Sequence, residues 1–454
     1  MREFIDPRGN AIRALDADEI PKLETALVGM LGMEYDPLEH LRRKEDTRRT
    51  PASFFLECVV RLASMENQQI NACREILAII EARDLCRLES EWLHFGACKK
   101  WAAQDFEGAH ADWRRLLGIA PRDILALYGI HMLEFNMGWS SRMKETMRLV
   151  SAAWHPGSPL FGYVKGIEAF ALTENGQHED AWIAAARALH ENPRDIYAFH
   201  AACHVHYETG RYEDAILWMN DRRGDWADNR GMRIHIWWHH ALFQFYMLDV
   251  EKVFCIFREK IRDKNDPDGY EDLDAVSLLW RLSLIGIDVG ELWQEVAQYW
   301  MPSIDQSQYW FNDVHAMMAM VSSNHGVLIQ RILRHVANNY RKVPKVAAVT
   351  KTVCQGLIDF GHHDYESAYE TIIGVLGSVS EIGGSNAQRD LLEMTAIEAA
   401  LRCGRKSQAR RLISNGRSLR HASPLRDLYL KRADAPDHRV LQGAVATQGA
   451  ADVR

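Results

Sequence analysis

Six of the 20 histidines of this 454-residue chain fall between His200 and His240. His200 and His204 are four residues apart, as are His235 and His239, so each pair shares one face if its segment is helical. His206 falls on the other side and is expected against the following helix. Two such pairs on neighbouring helices can hold a divalent, zinc-like ion through their imidazole nitrogens. The same groups can serve as general acid and base in a dry pocket. They can also form a polar core with Trp237 and Trp238, or contact a peptide.

Other polar residues interrupt apolar helical runs. Arg281 stands inside Leu278–Leu282, and Asp313 and His315 stand inside Phe311–Ala316. A buried charge needs a partner, which for Arg281 suggests Asp313 or Asp390. In Ile382–Asp390, Ser385 followed by Gln388 is a capping box, so Gly383 and Gly384 lead into a helix. A helix start carrying Arg389 in its first turn is an anion site, and Asp390 can pair with Arg389 or with a basic ligand group. There is no phosphate-cradling glycine loop, no Gly-X-Ser-X-Gly elbow and no HExxH.

These residues are positioned by helices. Helical periodicity runs from about residue 16 to 432, with no convincing strand pattern. Pro-Arg-Asp-Ile occurs at Pro121 and again at Pro193, each twelve residues after an alanine, Ala109 and Ala181. Aligned inter-helix turn residues are Gln104, Gly138, Gly176, Gly210 and Leu248, spaced 34, 38, 34 and 38 apart. Five places on stand Ala109, Met143, Ala181, Ala215 and Val253, which set how closely two helices approach. This is the signature of tetratricopeptide-type helix–turn–helix repeats, hence an all-α solenoid whose first helices line a concave groove, His200 and His204 facing it. The expected organisation is a helical cap over 1–90, repeats over 91–262, an acidic loop and middle helices over 263–345, C-terminal repeats over 346–432, turning near His363 and Gly404, and a disordered tail over 433–454.

Composition bounds the partners. With 54 basic and 62 acidic residues the net charge is −8, which argues against nucleic acid or an anionic membrane. Basic stretches at Arg42–Arg49 and Arg402–Arg420 are expected to be solvated helix faces. Eight scattered cysteines without CxxC indicate free thiols in a reducing compartment. No signal peptide and no run of 18 apolar residues is seen, so a cytoplasmic protein is expected.

Several segments together resemble the tetratricopeptide repeat protein 38 family over roughly residues 1–430. They are Gly162–Gly166 with Glu168–Phe170, His200–His206, His235–His239, Leu279–Leu282, Phe311–Ala316 and Gly383–Asp390. The family usually has Asn where this chain has Ile236, and often Leu where it has His240. The resemblance implies the helical-repeat fold and a set of polar positions that a generic peptide scaffold does not require: His200, His204, His235, His239, Arg281, Asp313, His315, Arg389 and Asp390. Two functions are open. One is a scaffold holding a peptide or protein partner in its groove, with His200 and Trp238 in contact. The other is an enzyme or small-molecule-binding protein with a His/Arg/Asp pocket, metal-dependent if a divalent ion is bound.

Overall fold

In a computed structural model the chain is almost wholly α-helical. All residues are described except 35, 42–48, 264–271, 340–341 and 436–454. Most of the expected acidic loop, most of the Arg42–Arg49 stretch and most of the expected tail lie outside them. Among the described residues no helix is long and apolar enough to cross a membrane.

The N-terminus departs from the all-helical expectation. Strands β1 (Arg2–Ile5) and β2 (Ala11–Ala14) pair antiparallel, with Arg2 opposite Ala14 and Ile5 opposite Ala11. The turn chemistry of Asp6-Pro-Arg-Gly-Asn10 explains this. The Asp6 carboxylate accepts from the Arg8 and Asn10 amides at 2.9 and 2.8 Å, and Gly9 takes φ +88°. Strands this short carry too few alternations to be read from the pattern.

Helices α1 (Glu19–Leu31), α2 (Pro51–Ala63) and α3 (Asn67–Ala82) follow. Then come the pairs α4 (Glu89–Ala102) with α5 (Phe106–Ile119), α6 (Ile124–Asn136) with α7 (Ser140–Val150), and α8 (Phe161–Glu174) with α9 (His178–Glu191). Next are α10 (Ile196–Glu208) with α11 (Tyr212–Asp221), the short α12 (Arg223–Trp226), and α13 (Arg233–Tyr246) with α14 (Val250–Ile256). The C-terminal part comprises α15 (Asp272–Leu284), α16 (Gly290–Trp300), α17 (Trp310–Ser322), α18 (Gly326–Asn339), α19 (Pro344–Gly361), α20 (Tyr365–Val375), α21 (Asn386–Arg402), α22 (Lys406–Asn415) and α23 (Pro424–Asp434).

Local chemistry sets the helix ends. Asp123 and Asp195 cap α6 and α10, each accepting from the amide three residues on at 3.0 Å. Ser385 and Gln388 form the reciprocal capping box of α21. All five aligned turn residues take the left-handed conformation, Gln104 at φ +61° and Leu248 at +59° included. The same conformation recurs at Gly286, Asn324, His363 and Gly404. Ala109, Ala181, Ala215 and Val253 are fully buried where paired helices touch. All eight cysteines are free thiols.

Helices far apart in the sequence meet. The Asn386 amide donates to Glu174, Tyr207 bonds to Asp390, and Trp280 Nε1 donates to Thr395 Oγ1 at 2.9 Å, so α21 lies against α8, α10 and α15. Near the other end the Gln308 amide N–H donates to the Met65 carbonyl at 2.7 Å.

The turn glycines differ in what they can tolerate. A Cβ at Gly176 would meet open space, whereas one at Gly210 would lie 2.4 Å from the His421 Cβ. Gly176→Ala should therefore lose only the left-handed backbone cost of about 1 kcal/mol. Gly210→Ala should lose distinctly more in chemical denaturation, and equal losses would contradict the packing described here.

Candidate metal centre

The four histidines converge. His200 and His204 on α10 and His235 and His239 on α13 place one ring nitrogen each within 4.8 Å of all the others. His200 Nε2 lies 2.8 Å from His204 Nε2 and 3.1 Å from His235 Nε2. Two imidazoles bound to one zinc-like ion at 2.0–2.1 Å and the tetrahedral angle would have their nitrogens about 3.3 Å apart. The two short contacts are thus close to ligand spacing.

Burial favours the neutral, ligating form. His204 and His239 are fully buried and His200 is 5 % exposed. Burial, with the neighbouring imidazoles and the Arg389 and Arg281 charges, holds all three far below the ordinary histidine range. Phe170 stacks on His200 at 5.3 Å and Trp238 on His235 at 5.2 Å, walling off water.

Carboxylates orient the rings. His235 Nδ1 lies 2.9 Å from the buried Asp274 carboxylate, which accepts its proton and leaves the Nε2 lone pair directed at the cluster. Glu174 Oε1 stands 3.9 Å from His204 Nδ1. Among the described residues neither ring nitrogen of His239 has a hydrogen-bond partner, nor has the Nδ1 of His200 or of His204. Buried orphans of this kind cost free energy unless something occupies them.

The remaining candidates divide. Trp238 is fully buried against His235 and His239, and the Arg281 guanidinium lies 5.7 Å from its ring. Arg281 donates to the Ser277 hydroxyl and carbonyl and to the Ala387 carbonyl; it pairs with neither Asp313 nor Asp390, contrary to the expectation. Asp313 lies instead 3.7 Å from His335. His315, two residues on, donates from Nδ1 to the Phe311 carbonyl at 2.9 Å and has its Nε2 unpartnered.

Arg389 does not pair with Asp390 either, because adjacent residues of a helix point about 100° apart. It bonds the Gly383 and Gly384 carbonyls and the Asn386 side chain, with Glu174 at 3.5 Å. The anion site expected at this helix start is filled from within, because the Asn386 amide donates to Glu174 at 3.0 Å. Burial pushes the Glu174 carboxyl up to about 7 despite Arg389.

Asp390 ends a chain of three hydrogen bonds. Tyr246 lies 2.7 Å from the Ser418 carbonyl, Tyr207 2.7 Å from Tyr246, and Asp390 3.0 Å from Tyr207. Burial and the Glu208 carboxylate push the Asp390 carboxyl up to about 7, while the hydroxyl of Tyr207, which donates to it, holds it down.

The expectation that His200 and His204 face an open groove is corrected: both point into the closed interior, so no peptide touches them in this arrangement. His206 does pack against its neighbours, with ring contacts to Trp182 on α9 and Trp218 on α11. Sequence reasoning missed Glu174, Tyr207, Tyr246 and Asp274 as members of the site. The available signal was a carboxylate or phenol on the buried face of an otherwise apolar helix.

No known family model matches this chain, and no solved structure matches it.

Asp274 supports the centre without joining it. Asp274→Ala should weaken divalent-ion binding about 10- to 100-fold, read by competition against a coloured chelator. Unchanged affinity would remove Asp274 from the site.

Proposed function

We propose that this protein is a metalloprotein in which His200, His204, His235 and His239 hold one divalent transition ion, and that the surrounding polar pocket acts on a small molecule. The observation that carries this reading is the convergence of four imidazoles, of which His200, His204 and His239 are buried, held in the neutral form and left with orphaned nitrogens. Imidazole donors suit zinc, iron, nickel or copper rather than calcium or magnesium. When bound, the ion would supply Lewis acidity.

The protein's own groups hold protons around it. Glu174, 3.9 Å from His204 Nδ1, has a raised pKa, and such a group beside a ligating cluster is more characteristic of a working site than of a purely structural one. Metal-assisted hydrolysis is the proposed reaction class, and it requires an ion that keeps a coordination position open beyond the four imidazoles. Membership of the tetratricopeptide repeat protein 38 family, with a tetratricopeptide-type solenoid, is part of this reading and rests on the motifs and on the recurring left-handed turns. A cytoplasmic location is part of the same reading, supported by the free thiols, and the net charge disfavours nucleic acid.

The test is metal content by plasma mass spectrometry of untagged protein, wild type against the His204→Ala, His239→Ala double variant. About one ion per chain, lost in the variant, is expected. No bound metal in the wild type, even after loading with zinc or cobalt, would sink the proposal.

A second reading, a scaffold for a protein or peptide partner, has its own observation. Ile183 and Leu217 are 66 % and 65 % exposed, beside a cleft of about 320 Å³ lined by Trp182, Trp218 and Leu189. Partner capture that survives Ile183→Asp with Leu217→Asp would rule this surface out.

A further inference from the structure

A second cleft has no part in the histidine centre. It measures about 530 Å³, within the range of small-molecule sites, and lies where the N-terminal hairpin covers α1, α2 and α6. One wall is apolar, formed by Leu23, Leu27, Phe55, Ile124 and Leu125. The other is charged, and its charges are answered with one exception.

Arg8 is buried between Asp6 at 2.8 Å and Glu24 at 2.7 Å. Arg13 pairs with Glu91 at 2.9 Å, and Glu89 pairs with Arg115. Both Asp123 oxygens are engaged, one by the Ala126 amide at 3.0 Å and the other by His94 Nε2 at 3.1 Å. Arg122 also lines the cleft, and among the described residues its guanidinium bonds to no side chain or carbonyl. It lies over the hairpin turn: a Cβ at Gly9, where φ is +88°, would stand 2.8 Å from Arg122 Nη2. The missing side chain there gives the guanidinium its place.

We propose that this cleft binds an amphiphilic carboxylate. Its acid group would take the unused N–H fork of Arg122 in a two-bonded pair, and its hydrocarbon part would cover Leu23, Leu27, Phe55, Ile124 and Leu125. The neighbouring acids keep their own donors, so the ligand's oxygens compete only for Arg122. A cationic amphiphile would leave Arg122 unanswered and would meet its charge.

The experiment is calorimetric titration of the full-length protein with decanoate, with 1-decanol and decyltrimethylammonium as probes of the head group. Saturable one-to-one binding of decanoate is expected, at least tenfold tighter than 1-decanol, with no saturable binding of the cation. Arg122→Met should weaken decanoate at least tenfold, and Arg122→Lys should retain part of the affinity. Arg122 is only half buried, so both variants should keep the wild-type circular dichroism melt, which is checked alongside. Absence of saturable decanoate binding, equal binding of decanoate and 1-decanol, or an unchanged affinity in Arg122→Met would each overturn the proposal. Metal content does not enter the readout, so this result stands apart from that of the histidine centre.

Discussion

Glu174 is a carboxylate removed from water at the end of α8, and donors for it must come from elsewhere in the chain. They come from the start of α21, through the Asn386 backbone amide at 3.0 Å and Arg389 at 3.5 Å. A helix N-terminus has free amides and a positive end, so the two deficits answer each other. This contact, across 212 residues of sequence, draws α21 into the interior. The Tyr207–Asp390 bond, the Arg281–Ala387 bond and the Trp280–Thr395 bond all depend on that placement.

Around the histidine cluster the physical problem is how to keep many polar atoms out of water without a net charge. His200, His204 and His239 are held neutral by burial, and burial with the Glu208 carboxylate raises the Asp390 carboxyl. Arg281 remains cationic and is met by carbonyl and hydroxyl oxygens and by the face of Trp238. Charges are thus suppressed by desolvation where they have no partner and distributed over dipoles where they persist.

What the sequence made legible was local. The i,i+4 histidine pairs, the Asp123 and Asp195 caps, the Ser385 capping box and five left-handed turns are each set within a few residues, so spacing reveals them. The turns at Gly286 and Asn324 escaped because the position five residues on holds Glu291 and Ile329, whereas Ala368 and Ala409 follow His363 and Gly404. The β-hairpin escaped because eight strand residues are too few for a period. Asp274 and Glu174 could not be assigned to the site, since each reaches the histidines from a different helix. The mistaken pairings of Arg281 and Arg389 share this cause: proximity in the chain, or matching charge, does not fix which face of a helix a side chain takes.

The closure by α21 also sets an order of events during synthesis. A ribosome delivers α8, α10 and α13 long before Asn386 exists. Through that interval Glu174, Tyr207 and the open side of the imidazole cluster lack the helix that later covers them. The nascent chain therefore carries an unsealed polar seam until α21 emerges.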